Sequence, residues 1–508
     1  MNDRTSQTPV SFVNWLFKNP ANKGIIYASV IGWTTIFILF KLVYPLPNLL
    51  PDSYSYIDAA FHNYSINVWP IGYSKFLRAF SCFSKSHTAL VFFQYSLLQA
   101  SILYFLFSVH YWLKLTKRAI WILVACNMAN PLNLYVGNFI SSDALFAALS
   151  ITWFTQLLWV IKTPSTRLLI SHCLVLLLAF IVRYNALYYP LISILIIMIA
   201  NRLTLVQRFS TAVSIVLFIG LFIHQTSSKH ETVTGVRQFS AFGGWQLASN
   251  ALFAYAHTRS IDNWPVPAKY SWLHNIAMHH LDSLNKLKHR PDEQLGIYYL
   301  WDDKAPLKTY VALKYKKDST STSFKRWASV GPLYSGYGLY LIKSNPGAFV
   351  RHFLYPNLIN YYIPPAEFLG ITNMGSDTIG QVVVDWFNLK SNHLPLAKGA
   401  KEIKLTDSFT VVLAVVNLIF IISIVAYWYL GGFGLKQQTS FLNTILKWVF
   451  LIWIANLAFS VLASPIVLRY QIFPFVVTFI TFCLMLDFII KKSIDSIPSA
   501  VLSEPSIV

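Results

Sequence analysis

Ten stretches of mostly apolar residues run through the chain, near 24–44, 88–109, 119–137, 143–161, 168–183, 186–200, 209–225, 408–430, 445–463 and 472–490. A helix that crosses a bilayer needs about 20 such residues. The pattern therefore predicts an all-α polytopic membrane protein with about ten transmembrane helices. The fifth and sixth runs are short and separated by Arg183-Tyr184-Asn185, so they read as two tilted helices or one helix with a break. The first run is too long for a signal-peptide core and lacks a small-residue cleavage site, which makes it a signal anchor. Three parts result: an N-terminal membrane module 1–225 with a first outer loop 45–87, an extracytoplasmic domain 226–407, and C-terminal membrane helices 408–508. The middle part predicts helices over 270–287 and 337–361, with Gly- and Pro-rich turns and a polar loop at 318–323.

Composition strengthens this reading. The 508 residues are 55% hydrophobic and only 12% charged, which is about half the usual share. A soluble fold has no place for so much apolar surface, whereas lipid solvates helix exteriors. The net charge of +20 does not imply nucleic acid, because no basic stripe with interleaved aromatics stands apart from the membrane segments. Lys and Arg sit instead in short loops: Lys114, Lys117 and Arg118; Lys162 and Arg167; Arg202 and Arg208; Lys436 and Lys447; Lys491 and Lys492. All fall on one side if each run crosses once. The positive-inside rule makes that side cytoplasmic and puts both termini there. Lys75, Arg78 and Lys85 run against this trend and imply another role. The cysteines Cys82, Cys126, Cys173 and Cys483 have neither zinc nor disulfide spacing and read as inert core residues.

The acids are more telling. Between 24 and 225 only Asp52, Asp58 and Asp143 occur, all assigned to the outer face. Carboxylates near lipid are costly and mark function. Asp52, Tyr56 and Ala60 share one helix face at i, i+4, i+8; the competing reading makes Asp52 a helix cap. Asp58 reads as a solvated helix residue. Asp143 opens the fourth apolar run, where Ser142 or Asp143 could cap it. The stretch 69–77 joins Trp69, Pro70, Gly72, Tyr73 and Lys75, either an interfacial aromatic belt or an edge that stacks sugar and pairs phosphate. Arg183, followed by Tyr184, and Arg469, followed by Tyr470, lie at outer helix ends. They either snorkel to headgroups or grip phosphate, for which Arg is suited.

Taken in order, Asp52, Tyr56, Ala60, Pro70-Ile71-Gly72-Tyr73, Ser142-Asp143 and Arg469-Tyr470 with Pro474 resemble the pattern of GT-C superfamily membrane glycosyltransferases. The likeness is to bacterial relatives of protein O-mannosyltransferases and lipid A aminoarabinose transferases. It covers 24–200 clearly and thins after 408. The second outer loop offers only Asp143 where the family often has an acidic pair, and one extra residue separates Pro70 from Gly72. The domain 226–407 carries no part of the likeness. The resemblance implies a GT-C-like bundle and a lipid-linked-sugar-dependent transferase of hexosyl type. Its donor would be a polyprenyl-phosphate or polyprenyl-diphosphate sugar, its acceptor a glycan, lipid or protein hydroxyl. Asp52 would be the catalytic base. Tyr56, Tyr73, Lys75, Asp143, Arg183, Tyr184, Arg469 and Tyr470 would bind substrate. No cofactor is implied. Asp52 and Asp143 could share a divalent metal if the outer loops meet, though few oxygens are on offer for one. His274, His279 and His280 lack metalloprotease spacing and read as surface or packing residues. The alternatives are a transporter or flippase of lipid-linked saccharides, which would favour midplane sites and repeats, and a scaffold built on 226–407.

Overall fold

A computed structural model describes residues 11–258, 265–293, 298–394, 404–434 and 440–495; Lys436 lies outside them. Among the described residues every regular element is helical, apart from two isolated β-bridges. Each apolar run forms helix. Among the described residues seven helices are long and apolar enough to cross a membrane: Pro20–Val43, His87–Leu113, Ser142–Lys162, Leu205–Thr234, Ser408–Tyr429, Phe441–Ala463 and Leu468–Ser493. The third run is bent by 42° between Lys117–Met128 and Pro131–Gly137, where Pro131 ends one ladder and starts the next. Counting that pair as one span gives eight. The fifth and sixth runs, Thr166–Val182 and Tyr184–Ile199, are shorter. The expectation of about ten therefore has ten helical runs behind it but seven or eight full-length spans.

Local chemistry sets where these helices begin. Side-chain oxygens of Ser86, Thr116, Ser141, Ser165 and Thr204 accept the first free backbone N–H groups of five of them. Burial then divides the bundle. His87–Leu113 and Ser142–Lys162 pack together at its centre, whereas only 17% of the apolar window of Leu205–Thr234 is buried. Val213, Val216, Leu217 and Leu221 stand exposed along that helix, and Val411, Val415, Leu418 and Ile422 do so along another. Bands of exposed aliphatic side chains this long need lipid around them. Inside the bundle, several polar side chains pair with one another. Trp153 donates to Ser193 at 2.9 Å, Tyr189 donates to Ser150 at 2.8 Å, and the Trp153 and Tyr189 rings stack at 3.9 Å.

Leu205–Thr234 continues past the expected boundary at 225. The region that follows has two parts. The first has its own core, with Trp245, Leu252, Tyr299, Tyr334 and Tyr337 buried in it. Its helices Gly243–Ala256 and Gly331–Ser344 approach closely because Gly244 faces Gly331; a Cβ on Gly244 would stand 2.0 Å from the Gly331 carbonyl oxygen. The expected helix over 270–287 appears as Ser271–Leu284. The one over 337–361 appears as Gly331–Ser344, then Pro346–Phe349, a π-type turn Val350–Leu354 and Tyr355–Tyr362. The second part returns to the bundle, where Leu369, Ile379, Val383 and Trp386 join the membrane core. His274 and His280 hydrogen-bond Tyr337 and Tyr298 as packing residues. The cysteines are free, but Cys82 and Cys126 are exposed rather than core, because their helix faces turn away from the bundle.

Candidate functional site

Four distant segments are tied together by hydrogen bonds from the backbone. Asn48 N–H donates to Asn138 C=O at 2.9 Å, and Ile140 N–H donates to Asn48 C=O at 3.1 Å. This short bridge sets the loop before Asp52 beside the loop before Asp143. Asn373 N–H donates to the Asn48 side chain at 2.6 Å, and Leu468 N–H donates to Pro365 C=O at 2.9 Å. Glu367 and Arg469 are thereby brought to the same place.

Asp52 lies in the first turn of Pro51–Phe61 but does not cap it. Leu50 is the cap position, and its N–H donates to Ser53 Oγ at 2.9 Å. The Asp52 carboxylate faces a cavity of about 470 Å³ that Tyr56, Asp143, Arg183, Glu367 and Arg469 also line. Tyr56, one turn on, is buried with its hydroxyl 3.1 Å from Ser142 Oγ, and burial above all pushes its pKa up to about 12. Asp58 is half-exposed and pairs with His62 at 3.1 Å, as a solvated residue would.

Asp143 is no cap either. Ser141 fills that position and donates its hydroxyl to Asp143 Oδ2 at 2.7 Å. Arg183 Nη1 donates to Oδ1, and Arg469 Nη1 donates to Oδ2 at 3.1 Å. The remaining nitrogens of Arg469 face two more acids: Nη2 lies 3.8 Å from Asp52 Oδ2, and Nε lies 3.8 Å from Glu367 Oε2. Three carboxylates therefore surround one guanidinium, each opposite a different nitrogen. Both arginines lie over the Tyr470 ring, 4.6 and 4.7 Å from its centroid, so that ring orients the pair. Neither arginine snorkels outward; their side chains are 15% and 9% exposed. Tyr184 lines the cavity and packs on Phe239 at 4.3 Å.

Electrostatics separates these acids. Burial raises the Asp52 pKa, opposed by Arg469 and then Arg183. Burial also raises Glu367, opposed by Arg469 and reinforced by Asp52. Glu367 Oε2 and Arg469 Nε are buried with no hydrogen-bond partner, since 3.8 Å exceeds hydrogen-bond length. Glu367 also holds φ at 49°, in the left-handed region that non-glycine residues rarely occupy and that often marks functional positions.

Two expected binding residues stand elsewhere. Tyr73 is fully buried behind Tyr56, and its hydroxyl donates to Gln94 Oε1 at 2.5 Å; Gln94 in turn donates to Phe139 C=O at 3.1 Å. It braces the Asp143 loop rather than touching the cavity. Lys75 is exposed and donates to Asn63 Oδ1 at 2.8 Å, because its helix turns it away from the cavity. Arg78 donates to Ala60 C=O at 3.1 Å and Lys85 lies 4.1 Å over Trp386, so the cations that broke the charge trend tie loops together. Gly72 is needed for contact rather than for a turn: a Cβ there would lie 2.6 Å from the Ile181 carbonyl, just before Arg183. Glu367 was not foreseen. Its only signal is a single acid after Tyr361-Tyr362-Ile363-Pro364-Pro365, in a region where acids are ordinary.

Among the described residues no three His, Cys, Asp or Glu side chains group to hold a metal ion. The place where Asp52 and Asp143 would share one is taken by the Arg469 guanidinium, so these residues do not fit a metal site. Comparison with family models, curated proteins and solved structures finds nothing that matches this chain.

Proposed function

We propose that this protein is a GT-C-type glycosyltransferase that moves a hexose from a polyprenyl-phosphate or diphosphate carrier to an acceptor hydroxyl. The observation that carries the reading is Asp52 facing a cavity whose other wall holds Arg183 and Arg469. Transfer needs a base for the acceptor and cations for the departing phosphate. The acceptor oxygen attacks the anomeric carbon and its proton passes to the Asp52 carboxylate. The bond from that carbon to the phosphate oxygen breaks, and its electron pair leaves with the phosphate towards the two guanidiniums. A single displacement of this kind inverts the anomeric centre.

The charge count bears on donor binding. With all three acids ionised, the cluster of Asp52, Asp143 and Glu367 against Arg183 and Arg469 is net negative and repels a phosphate. Protonated Glu367 removes that repulsion, and burial favours its protonated form. We place ten crossings in the membrane, counting the bent pair as one and including the two short helices. Both termini are assigned to the cytoplasm of an inner-membrane protein and the cavity to the opposite side. A carrier is less well supported, because the acids gather at helix ends rather than in helix middles.

The test is release of polyprenyl phosphate from a labelled polyprenyl-phosphate hexose by protein in proteoliposomes supplied with envelope-derived acceptors. Asp52→Asn should lower the rate by about 10²–10⁴-fold, the usual share of a general base. Release at the unchanged rate would overturn the assignment.

A further inference from the structure

One wall of the same cavity is chemically unlike the charged cluster. Trp69, Phe242 and Trp301 line it and touch one another: Trp69 and Phe242 are 4.5 Å apart between centroids, Trp69 and Trp301 6.1 Å, and Phe242 and Trp301 6.1 Å at an interplanar angle of 28°. The stack continues away from the cavity. Trp301 lies 5.7 Å from Trp327, which stacks on Trp245 at 3.8 Å and 7°. Trp245 is fully buried and donates to Trp327 C=O at 2.9 Å, so the platform is anchored in a rigid core. Trp301 itself is 42% exposed.

The three rings bridge two cores. Trp69 packs on the membrane bundle and Phe242 on the core of the connecting region. The arginines use other rings, Phe146 and Tyr470. The cavity also carries uncharged polar side chains, Ser240, Gln246 and Asn185. Gln246 is held in place by donating to Asn250 Oδ1 at 2.8 Å. A prenyl tail has no use for amides and hydroxyls. An anionic ligand would find no counter-charge on these rings. A pyranose ring suits both features, since its C–H face stacks on indole and its rim presents hydroxyls.

We infer that Trp69, Phe242 and Trp301 form the acceptor subsite and that the acceptor is a saccharide. This rests on the transfer reading, and it settles on a glycan where protein and lipid acceptors were also open. The bond then made is glycosidic, from the anomeric carbon of the donor sugar to a hydroxyl of a sugar stacked on Trp301.

The test is binding rather than turnover. Full-length protein in nanodiscs, with polyprenyl phosphate added to fill the charged part, is titrated with cellobiose, chitobiose, mannobiose and a serine- and threonine-rich peptide, followed by calorimetry. At least one disaccharide should saturate. Trp301→Ala should weaken it about tenfold, as loss of one stacked ring implies, and Trp301→Tyr should restore it to within about threefold. Trp272→Ala, an exposed ring of the same region outside the cavity, should change nothing. Asp52→Asn should stop transfer while the disaccharide still saturates, which separates this inference from the catalytic one. Saccharide binding without any sugar transfer by the wild-type protein would overturn the transferase reading while the subsite stands. Failure of every disaccharide to saturate, saturation by the peptide instead, or indifference to Trp301→Ala would overturn the subsite.

Discussion

Asp52 and Arg469 approach to 3.8 Å, close enough to attract and too far to hydrogen-bond. Asp143 and Arg469, by contrast, meet at 3.1 Å, and Arg183 holds the other oxygen of Asp143. One carboxylate is thus engaged by cations and the other is near a cation yet free to take a proton. Under the proposed transfer reaction, that contrast gives Asp143 a structural part and Asp52 the part of base.

It leads to opposite effects on stability. Asp143→Asn leaves two largely buried guanidiniums without their shared partner and should cost about 3–5 kcal/mol. Asp52→Asn removes a charge that burial already disfavours, so its melting temperature should hold or rise. Thermal unfolding of both variants in detergent checks this. A fall in Asp52→Asn as large as in Asp143→Asn would contradict the division of roles.

The pH profile follows from the same residue. Burial raises the Asp52 pKa, and a general base works only when deprotonated. The acid limb of the transfer rate should therefore lie above the ordinary aspartate value of about 3.9. Arg469 lowers that pKa, so Arg469→Gln should move the limb to higher pH, while Arg469→Lys should move it less. Rates measured from pH 4 to 9 decide. A limb that moves down in Arg469→Gln would mean that another group titrates.

Glu367→Gln imitates the protonated form of that side chain. Because ionised Glu367 opposes phosphate binding, the variant should bind donor more tightly than wild type at high pH and equally at low pH. The KM for the lipid-linked sugar, measured at both ends, reads this. A KM raised at both would show that Glu367 works as an anion.

Gly72→Ala tests positioning. The added methyl meets the Ile181 backbone and pushes on the helix end that carries Arg183. Transfer should fall by about tenfold or more while the helical far-ultraviolet signal is kept, since small misplacements are costly in catalysis. Full activity would mean that the two helices part without moving Arg183.

The connecting region should respond to acid on its own. Asp292 is buried; burial, the largest influence, would raise its pKa, but hydrogen bonds from Arg290 at 2.8 and 2.7 Å and from Tyr299 at 2.6 Å hold it below the ordinary value. Its stabilising share is present above about pH 3.9 and is lost as pH falls through the lowered pKa. Limited proteolysis between pH 5 and 2 should show cleavage in this region rising as pH drops, and Asp292→Asn should show it already at pH 5.

The sequence made the charged residues of the membrane part readable because a charge there is expensive and needs a reason. Asp52, Asp143, Arg183 and Arg469 stood out on that ground, and the structure brings all four together. Tyr73 and Lys75 carried no such cost, being an aromatic and a cation at an interface where both are common, and they face away. Glu367 was hidden for the converse reason, since a polar region tolerates acids freely and only the fold returns that loop to the bundle. Gly72 was noticed as part of a motif, but helix contact rather than turn geometry explains it. Each apolar run marked a helix, whereas none told which would be long enough to cross alone.

The separation of 326 residues between Asp143 and Arg469 has a bearing on biogenesis. A nascent chain inserts from its N-terminus, so Asp143 enters the bilayer long before its second cation is synthesised. Until the final helix arrives, Asp143 has Arg183 beside it but not Arg469, and the charged cluster is unassembled. Under the proposed transfer reaction, a ribosome-bound or prematurely terminated product is then inert, and the cell's pool of activated sugar lipids is safe from it.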